Sequence, residues 1–256
     1  MDEINFEDKL KIYEGKDVRY LSKEEPTLIR ITLKHSESFT EGFMKPFDLT
    51  MSQTMAKTAQ YLCELIVGCK IAYIQNEEML ILVDSQQYYD LNNWLMTDFI
   101  ERVTTTTFNN FLSDYVRSLS LSPMIYNNIK YVELVVNYGS KINSATFDVK
   151  LFNTPKEDVY NAFKCRQQTA IRKSIYALLT DVCDQETLDI KTYEQLLEIL
   201  VQKKNINFDT INSFITRGVC VTKLINIKDD ETENIWKLDM YIPIFTQDMN
   251  YIEKYL

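Results

Sequence analysis

The order of four segments near the start of the chain constrains the fold most. An apolar run at Leu28–Leu33 follows Pro26, which cannot continue a helix. Asp48 can then cap a helix whose apolar residues recur at helical spacing. Two short apolar runs come next, at Lys70–Gln75 and Met79–Val83, and we expect them to form a hairpin. Strand, helix, strand, strand is the first part of a ferredoxin-like arrangement.

The following segments complete that arrangement. We predict a second long helix over Trp94–Leu119 and strands at Tyr131–Val136 and Ala145–Phe152. The pattern over residues 1–150 therefore indicates an antiparallel βαββαβ sheet with two helices, and the fold class is α+β.

The predicted secondary structure becomes mostly helical from residue 151 onwards. Helices are predicted over Pro155–Leu179, from Thr192 onwards and near Asp209–Ile215. Strands at Val219–Ile227 and Ile235–Ile244 would close the chain as a hairpin. We therefore expect a second, mostly helical region over residues 151–256. No linker rich in Gly, Ser or Pro separates the two regions, so we expect them to pack together.

Charge and histidine content limit the possible functions. Acidic residues exceed basic ones by 37 to 28, giving a net charge of −9. This argues against binding nucleic acid over a broad surface, although a local basic groove stays possible. The single histidine, His35, excludes a metal site built from several histidines of one chain.

The cysteines and the distribution of apolar residues bear on location. The five cysteines are odd in number and form no CxxC pair, which favours reduced thiols in the cytoplasm. No segment approaches the roughly 20 apolar residues that a membrane-spanning helix needs. We therefore expect a soluble cytoplasmic protein with no membrane partner.

Seven segments, taken in order, resemble one protein family. None is specific alone, but the set extends over nearly the whole chain. The segments are Phe6–Glu14, Phe39–Asp48, Ala72–Gln75, Phe147–Asn153, Arg166–Ile175, Arg217–Val221 and Ile242–Thr246. Together they resemble the tRNA-histidine guanylyltransferases and their bacterial relatives, which add nucleotides in the 3′-to-5′ direction.

This resemblance implies a polymerase-like palm, fingers-like helices and two Mg²⁺ ions. The implied ligand is a nucleoside triphosphate, GTP or ATP, and the implied partner is tRNA or another RNA 5′ end. The family also implies a homo-oligomer or a hetero-oligomer with a related chain, as a dimer or tetramer. Its chemistry activates a 5′-phosphate, which the 3′-hydroxyl of GTP then attacks between two metal ions.

The first metal motif of the family is altered in this chain. The family pattern Arg-hydrophobic-Asp-Gly-Arg aligns with Arg30–Lys34, so that Thr32 occupies the position of the metal-binding Asp. Leu33 replaces the Gly, and Lys34 replaces an Arg. A neutral hydroxyl cannot balance two neighbouring dications as a carboxylate does.

The second motif is altered less. The family's Gln-Ser-Asp-Glu reads Gln75–Glu78 here, and Glu77 retains a carboxylate that is one methylene longer. Glu77 is therefore the candidate metal ligand, and Glu77 and Thr32 are the candidate catalytic positions. Glu37 and Asp48 are other acids that could compensate for the lost Asp. The candidate nucleotide-binding residues are Leu33, Lys34, Lys45 and Asn76.

The segment that resembles the fingers helix carries several basic residues. We expect it to present a basic strip to RNA or phosphate, the alternative being an ordinary solvated helix face. The candidate residues are Lys164, Arg166, Gln167, Arg172, Lys173 and Ser174.

Three functions remain open from the sequence. The altered metal motif favours a catalytically impaired subunit that binds RNA or nucleotide and supports an active paralogue. An active nucleotidyltransferase with a non-standard metal site is the alternative. A nucleotide sensor or sequestering protein is the third possibility.

Overall fold

The computed structural model describes residues 5–16, 19–87, 92–228 and 231–256. The strands are β1 (Thr27–Leu33), β2 (Cys69–Gln75), β3 (Glu78–Val83), β4 (Phe147–Asn153), β5 (Val219–Lys228) and β6 (Glu231–Asp239). The helices are α1 (Phe6–Glu14), α2 (Ser36–Phe39), α3 (Leu49–Leu65), α4 (Asn93–Ser120), α5 (Ile129–Lys141), α6 (Lys156–Leu179), α7 (Gln185–Asp189), α8 (Tyr193–Lys204), α9 (Ser213–Thr216) and α10 (Asn250–Glu253). No helix within these ranges is long and apolar enough to cross a membrane.

The six strands form one antiparallel sheet in the order β4-β1-β3-β2-β5-β6. The first four follow the ferredoxin-like order, and the predicted α+β class is confirmed. The hairpin of β5 and β6 extends the same sheet beyond β2. The sheet therefore includes strands from both sides of residue 150, and the division into two domains stays a prediction.

Successive side chains of β1 point alternately into the two hydrophobic cores on either face of the sheet. Ile29, Ile31 and Leu33 belong to the core beneath α3, α4 and α5, whereas Leu28 belongs to the core beneath α1, α6 and α10. Because successive side chains of a strand point to opposite faces, Thr32 lies on the same face as Leu28. The altered metal position thus faces the α1 and α6 layer.

Asp48 caps α3 and also ties two neighbouring segments to it. Its Oδ1 accepts from the Met51 amide at 2.8 Å, which confirms the predicted N-cap. Its Oδ2 accepts from the Met44 amide at 2.9 Å and from the Tyr138 hydroxyl at 2.6 Å. Burial and this last hydrogen bond raise the pKa of Tyr138 well above its ordinary value. One carboxylate oxygen of Asp48 therefore caps α3, and the other holds the loop before α3 against α5.

The predicted strand at Tyr131–Val136 is wrong, because this segment lies within helix α5. The Asn128 side chain accepts from the Tyr131 amide and starts the helix. Val135 and Tyr138 are then buried one turn apart, in the core shared with α4. The β-branched and aromatic residues favour a strand by propensity, but helical packing overrides that preference.

The last strand ends earlier than predicted. We expected it over Ile235–Ile244, but after β6 the chain leaves the sheet and buries Ile242 and Phe245 beneath α6. Gln167 fixes this turn, because its amide group donates to the Pro243 carbonyl at 2.9 Å and accepts from the Phe245 amide at 2.7 Å.

The helical region has a small core of its own. The helix expected over Asp209–Ile215 is instead a 3-10 turn at Phe208–Thr210 followed by α9. Thr192 starts α8 through a capping box with Gln195, as its sequence position suggests. The buried core residues are Ile171, Ile175, Leu179, Leu188, Leu196, Leu200 and Phe208.

A buried carboxylate joins α1 to α6. Asp158 accepts a hydrogen bond of 2.7 Å from the Tyr13 hydroxyl, and the Lys9 ammonium lies 2.6 Å from the same oxygen. Burial acts to raise the pKa of Asp158, but the hydrogen bonds from Lys9 and Tyr13 outweigh it, so the pKa lies below its ordinary value of 3.8. The contact therefore favours the ionised carboxylate.

Replacing this carboxylate should destabilise the protein in a pH-dependent way. We expect Asp158→Asn to lower the free energy of unfolding by about 1–3 kcal/mol at pH 7, the usual range for a hydrogen bond to a charged group. Because the folded pKa is depressed, this contribution is present above the unfolded pKa and is lost as pH falls through the folded value. Urea unfolding at pH 7 and pH 3 measures the difference.

The matched control is Asp8→Asn, which removes an exposed carboxylate paired with Lys11 on the same helix. It should change the free energy of unfolding by less than about 0.5 kcal/mol. Equal losses in both variants, or a loss for Asp158→Asn that persists unchanged at pH 3, would contradict this account.

Candidate functional site

The turn between β2 and β3 lies at the junction of three cavities. Asn76 adopts a left-handed conformation with φ of 50°, which asparagine tolerates better than most residues. Asn76 and Glu77 line all three neighbouring cavities, which measure about 100, 230 and 900 Å³. The hairpin predicted from the sequence therefore presents its turn to the main open space of the molecule.

The largest cavity lies between the loop before α3 and helices α6 and α8. Lys45 lines it from the loop, and Lys173 lines it from α6. Neither lysine has a hydrogen-bond or ion-pair partner within the described part of the chain. Lys204 also lines this cavity, but it is paired with Asp181. Two unpartnered ammonium groups therefore approach the Asn76-Glu77 turn from two sides.

The walls of the 100 Å³ cavity combine apolar side chains with polar and charged ones. Phe43, Phe47, Met51 and Phe214 contribute to them, and Lys45 and Glu77 line both this cavity and the largest one. The turn thus lies between a cavity that has aromatic side chains in its wall and a larger, more highly charged cavity.

The last three positions of the first metal motif do not line these cavities, although Arg30 lines the 230 Å³ one. Thr32, Leu33 and Lys34 are absent from the residues that line them. Leu33 is buried, and its amide donates to the Glu77 carbonyl at 2.9 Å. The Lys34 ammonium lies 2.7 Å from Glu101. The structure therefore places the Leu33 backbone beside the turn and pairs Lys34 with a carboxylate, and their binding of a nucleotide stays a prediction.

Four charged side chains beside the turn form a closed ring, which we call the arginine–glutamate ring. Glu14 accepts from Arg30 Nη1 at 2.8 Å and from Arg166 Nη2 at 2.7 Å. Glu78 accepts from Arg30 Nε at 2.9 Å, and the same oxygen lies 2.8 Å from Arg30 Nη2. Its other oxygen lies 3.3 Å from Arg166 Nε, an ion pair without hydrogen-bond geometry. The ring joins α1, β1, β3 and α6.

Most of this ring is shielded from solvent. The Glu14 side chain is only 4% exposed and that of Arg166 only 12%. Partial burial acts to lower the pKa of Arg30, but the carboxylates of Glu78 and Glu14 outweigh it, so the pKa is raised and the guanidinium keeps its charge. Glu78 and both arginines therefore already have partners of opposite charge within the protein.

Arg172 also has internal partners. Its Nη2 donates to the carbonyls of Leu188, Asp189 and Lys191 at 3.3, 3.2 and 2.9 Å. Its Nε donates to the Tyr176 hydroxyl at 2.7 Å. The guanidinium therefore satisfies carbonyls at the carboxyl end of α7 and holds the helical region together.

Most side chains of the predicted basic strip along α6 are buried or already have partners within the protein. Gln167 and Ser174 are buried, and the Ser174 hydroxyl donates to the Thr216 carbonyl at 3.4 Å. Lys164 hydrogen-bonds to a side chain on its own helix. Lys173 is exposed and unpartnered among the described residues. Binding of RNA or phosphate by these residues stays a prediction, and Lys173 is the one with a free charge at the cleft.

The donor set does not fit a pair of Mg²⁺ ions. Thr32 offers a neutral hydroxyl, and Glu78 is held in the arginine–glutamate ring. Asp148 is the register partner of Thr32 on β4, but it does not line the three cavities. Of the other acids considered, Asp48 is engaged as a helix cap, and Glu37 is exposed at the largest cavity. Within the described ranges, no three His, Cys, Asp or Glu side chains form a group that could hold a metal.

Comparison with known proteins identifies the family. The family model for Thg1, tRNAHis guanylyltransferase, matches residues 7–155, which is more than half of the chain. This chain therefore belongs to the Thg1 family. No curated protein sequence matches it.

Three solved structures share the fold. A bacterial tRNA(His) guanylyltransferase (Thg1)-like protein in complex with ATP is 25% identical, with a TM-score of 0.72 over 99% of each chain. One in complex with GTP is 24% identical, with a TM-score of 0.69 over 97% of each chain. The tRNA(His) guanylyltransferase of Saccharomyces cerevisiae is 14% identical, with a TM-score of 0.61 over 96% of this chain and 98% of that one. The similarity confirms the palm-like α+β fold.

Removing one carboxylate from the arginine–glutamate ring should destabilise the fold. Glu14→Gln leaves two largely buried guanidinium groups short of a counter-charge, and we expect the free energy of unfolding to fall by roughly 3 kcal/mol. Glu101→Gln breaks the more exposed pair with Lys34 and should cost less than about 1 kcal/mol. Urea denaturation of both variants measures the contrast, and losses of equal size would argue against a stabilising ring.

Proposed function

We propose that this chain binds a nucleoside triphosphate, ATP or GTP, in the cleft at the Asn76-Glu77 turn, and that its nucleotidyl transfer is impaired. The observation that carries the proposal is the pair of unpartnered lysines, Lys45 and Lys173, on two sides of this turn. By contrast, the nearby Arg30, Arg166 and Arg172 already bind carboxylates or carbonyls of the protein.

A phosphate chain would bring the lysines the opposite charge that they lack. Binding of a polyanion at a few focused cations is compatible with a net charge of −9, whereas binding over a broad surface is not. The aromatic side chains in the cavity beside Lys45 offer apolar surface to part of a nucleoside. The bacterial relatives in complex with ATP and GTP support the same class of ligand.

The impaired chemistry follows from the acidic groups at the site. Two-metal phosphoryl transfer depends on ions that clamp the attacking and leaving oxygens. Thr32 supplies no negative charge at the first metal position, and Glu78 is held by two guanidinium groups. The chain should therefore bind its nucleotide far better than it turns it over.

The proposed partner is an RNA 5′ end, following the tRNA substrate in the family's name. We propose that the chain acts in the cytoplasm as a dimer or tetramer, alone or with an active related chain. Co-purification and a tRNA-binding assay test this role. A nucleotide sensor would use the same pocket and would bind nucleotide without binding RNA.

Removing either free lysine should weaken nucleotide binding. We expect Lys45→Gln and Lys173→Gln each to reduce affinity for ATP or GTP by about 10- to 100-fold, as for loss of a charge-assisted hydrogen bond. Lys164→Gln is the matched control, because Lys164 is also on α6 but contacts Asn161. Isothermal titration calorimetry measures the three affinities.

Affinities unchanged in both lysine variants, or lowered equally in the control, would count against this pocket. Failure of the unmodified protein to bind ATP or GTP at all would contradict the proposed function.

A second function, an active nucleotidyltransferase with a non-standard metal site, is favoured by one observation. The Glu77 side chain has no hydrogen-bond or ion-pair partner within the described residues, so it is free to bind a metal. Residual catalysis would require another group to replace the carboxylate missing at Thr32.

Nucleotide incorporation distinguishes these functions. With labelled GTP or ATP and an RNA carrying a 5′-monophosphate or triphosphate, we expect incorporation at least about 100-fold slower than by an active relative, the effect of a lost group worth 2.7 kcal/mol. The triple variant Thr32→Asp, Leu33→Gly, Glu77→Asp should increase it. Wild-type incorporation at the rate of the relative would establish the second function instead.

A further inference from the structure

We infer that Gln75 and Ser174 are positioning residues, which hold Lys173 at a fixed place relative to the Asn76-Glu77 turn. The inference rests on the proposed nucleotide binding and concerns two neutral side chains at the walls of the cleft. Both residues are buried, with 8% of Gln75 and 2% of Ser174 exposed. Buried polar groups need hydrogen-bond partners, and the partners show which elements each residue connects.

The side-chain amide of Gln75 joins three parts of the chain. Its Nε2 donates to the Ile215 carbonyl of α9 at 3.2 Å and to the Ser174 hydroxyl oxygen of α6 at 3.4 Å. The same nitrogen donates to Asn76 Oδ1 at 3.4 Å. Because a carbonyl can only accept, the contact with Ile215 identifies Nε2 as the atom that faces α9. One buried side chain therefore connects the end of β2 to α6 and α9.

The Ser174 hydroxyl continues this network. It accepts from Gln75 and donates to the Thr216 carbonyl at 3.4 Å. At these distances each contact is individually weak, so the network depends on its members together. Ser174 directly follows Lys173, which is exposed and lines the 230 and 900 Å³ cavities. The bonds of Ser174 therefore determine where the backbone that carries Lys173 lies.

Helix α9 is fixed beside β2 by separate contacts. The Tyr73 hydroxyl donates to the Arg217 carbonyl at 2.9 Å. Gly218 has a φ of 86°, and a Cβ at this position would lie 2.5 Å from the Ile74 carbonyl oxygen. Only glycine permits this close approach of the two backbones. The end of α9 is therefore a fixed support, to which the network attaches α6.

The two free lysines of the cleft depend on different supports. Lys173 approaches the turn from α6, whereas Lys45 approaches it from the loop that Asp48 holds against α5. A group that binds a ligand must be held to within about 0.5 Å by its supporting residues. Loss of the Gln75 and Ser174 bonds should therefore weaken the contact of Lys173 with a triphosphate and leave that of Lys45 in place.

A double-mutant cycle tests this role, because a positioning residue acts through the group that it positions. Gln75→Met retains the size of the side chain but loses the donor, and Ser174→Ala loses the hydroxyl. We expect each to lower ATP affinity about 3- to 10-fold in calorimetry. In the Lys173→Gln background the effect should fall below about twofold, and in the Lys45→Gln background it should remain in full.

The matched control is Asn109→Leu. Asn109 is also a buried amide that donates to two carbonyls, those of Thr105 and Ala145. It lies on α4 and is absent from the walls of the three cavities around the turn. This variant should lower the free energy of unfolding without changing ATP affinity. Circular dichroism verifies that each variant is folded, and Ser174→Ala is the milder change should Gln75→Met fail to fold.

The outcomes separate this inference from the function beneath it. An equal loss of ATP affinity with and without the Lys173→Gln change would show that Gln75 and Ser174 act independently of Lys173, and would overturn the inference. Unchanged affinity in both single variants, or the same loss in Asn109→Leu, would also overturn it while leaving nucleotide binding intact. Failure of the unmodified protein to bind ATP or GTP would instead remove the proposed function, and this inference with it.

Discussion

The arginine–glutamate ring determines which charges are left for a ligand. Arg30 and Arg166 share Glu14 and Glu78, and the four side chains join the first helix, two central strands and the long helix α6. Removing a charged group from water costs free energy unless a group of opposite charge pairs with it. The ring therefore holds these four side chains to one another. It thereby engages two carboxylates and two guanidinium groups that would otherwise be free to bind a ligand in the neighbouring cleft.

What remains around the turn is a small set of free groups. Lys45 and Lys173 are unpartnered within the described residues, and Glu77 is the free carboxylate between them. Such a set can hold a phosphate chain, but it supplies few acidic ligands for a metal pair. We propose that the neutral residue at Thr32 and the ion pairs of Glu78 both favour binding with little transfer. The family fold itself is retained.

The sequence predicted the features set by local rules. The helix cap at Asp48 and the hairpin at the Asn76-Glu77 turn follow from cap chemistry and apolar periodicity, and both are present. Helix α5 was not predicted, because its β-branched residues resemble a strand until its buried face is known. The ring was also missed, since Glu14 lies 16 residues from Arg30 and 152 from Arg166. No spacing rule pairs residues at such separations, and basic side chains on one helix therefore resembled a surface for RNA.

The most direct test of this account is a crystal structure of the chain grown with ATP and MgCl₂. The account predicts a triphosphate between Lys45 and Lys173, over the Asn76-Glu77 turn, with the arginine–glutamate ring intact. A nucleotide bound elsewhere, or a triphosphate held by Arg30 and Arg166 with the ring opened, would contradict it.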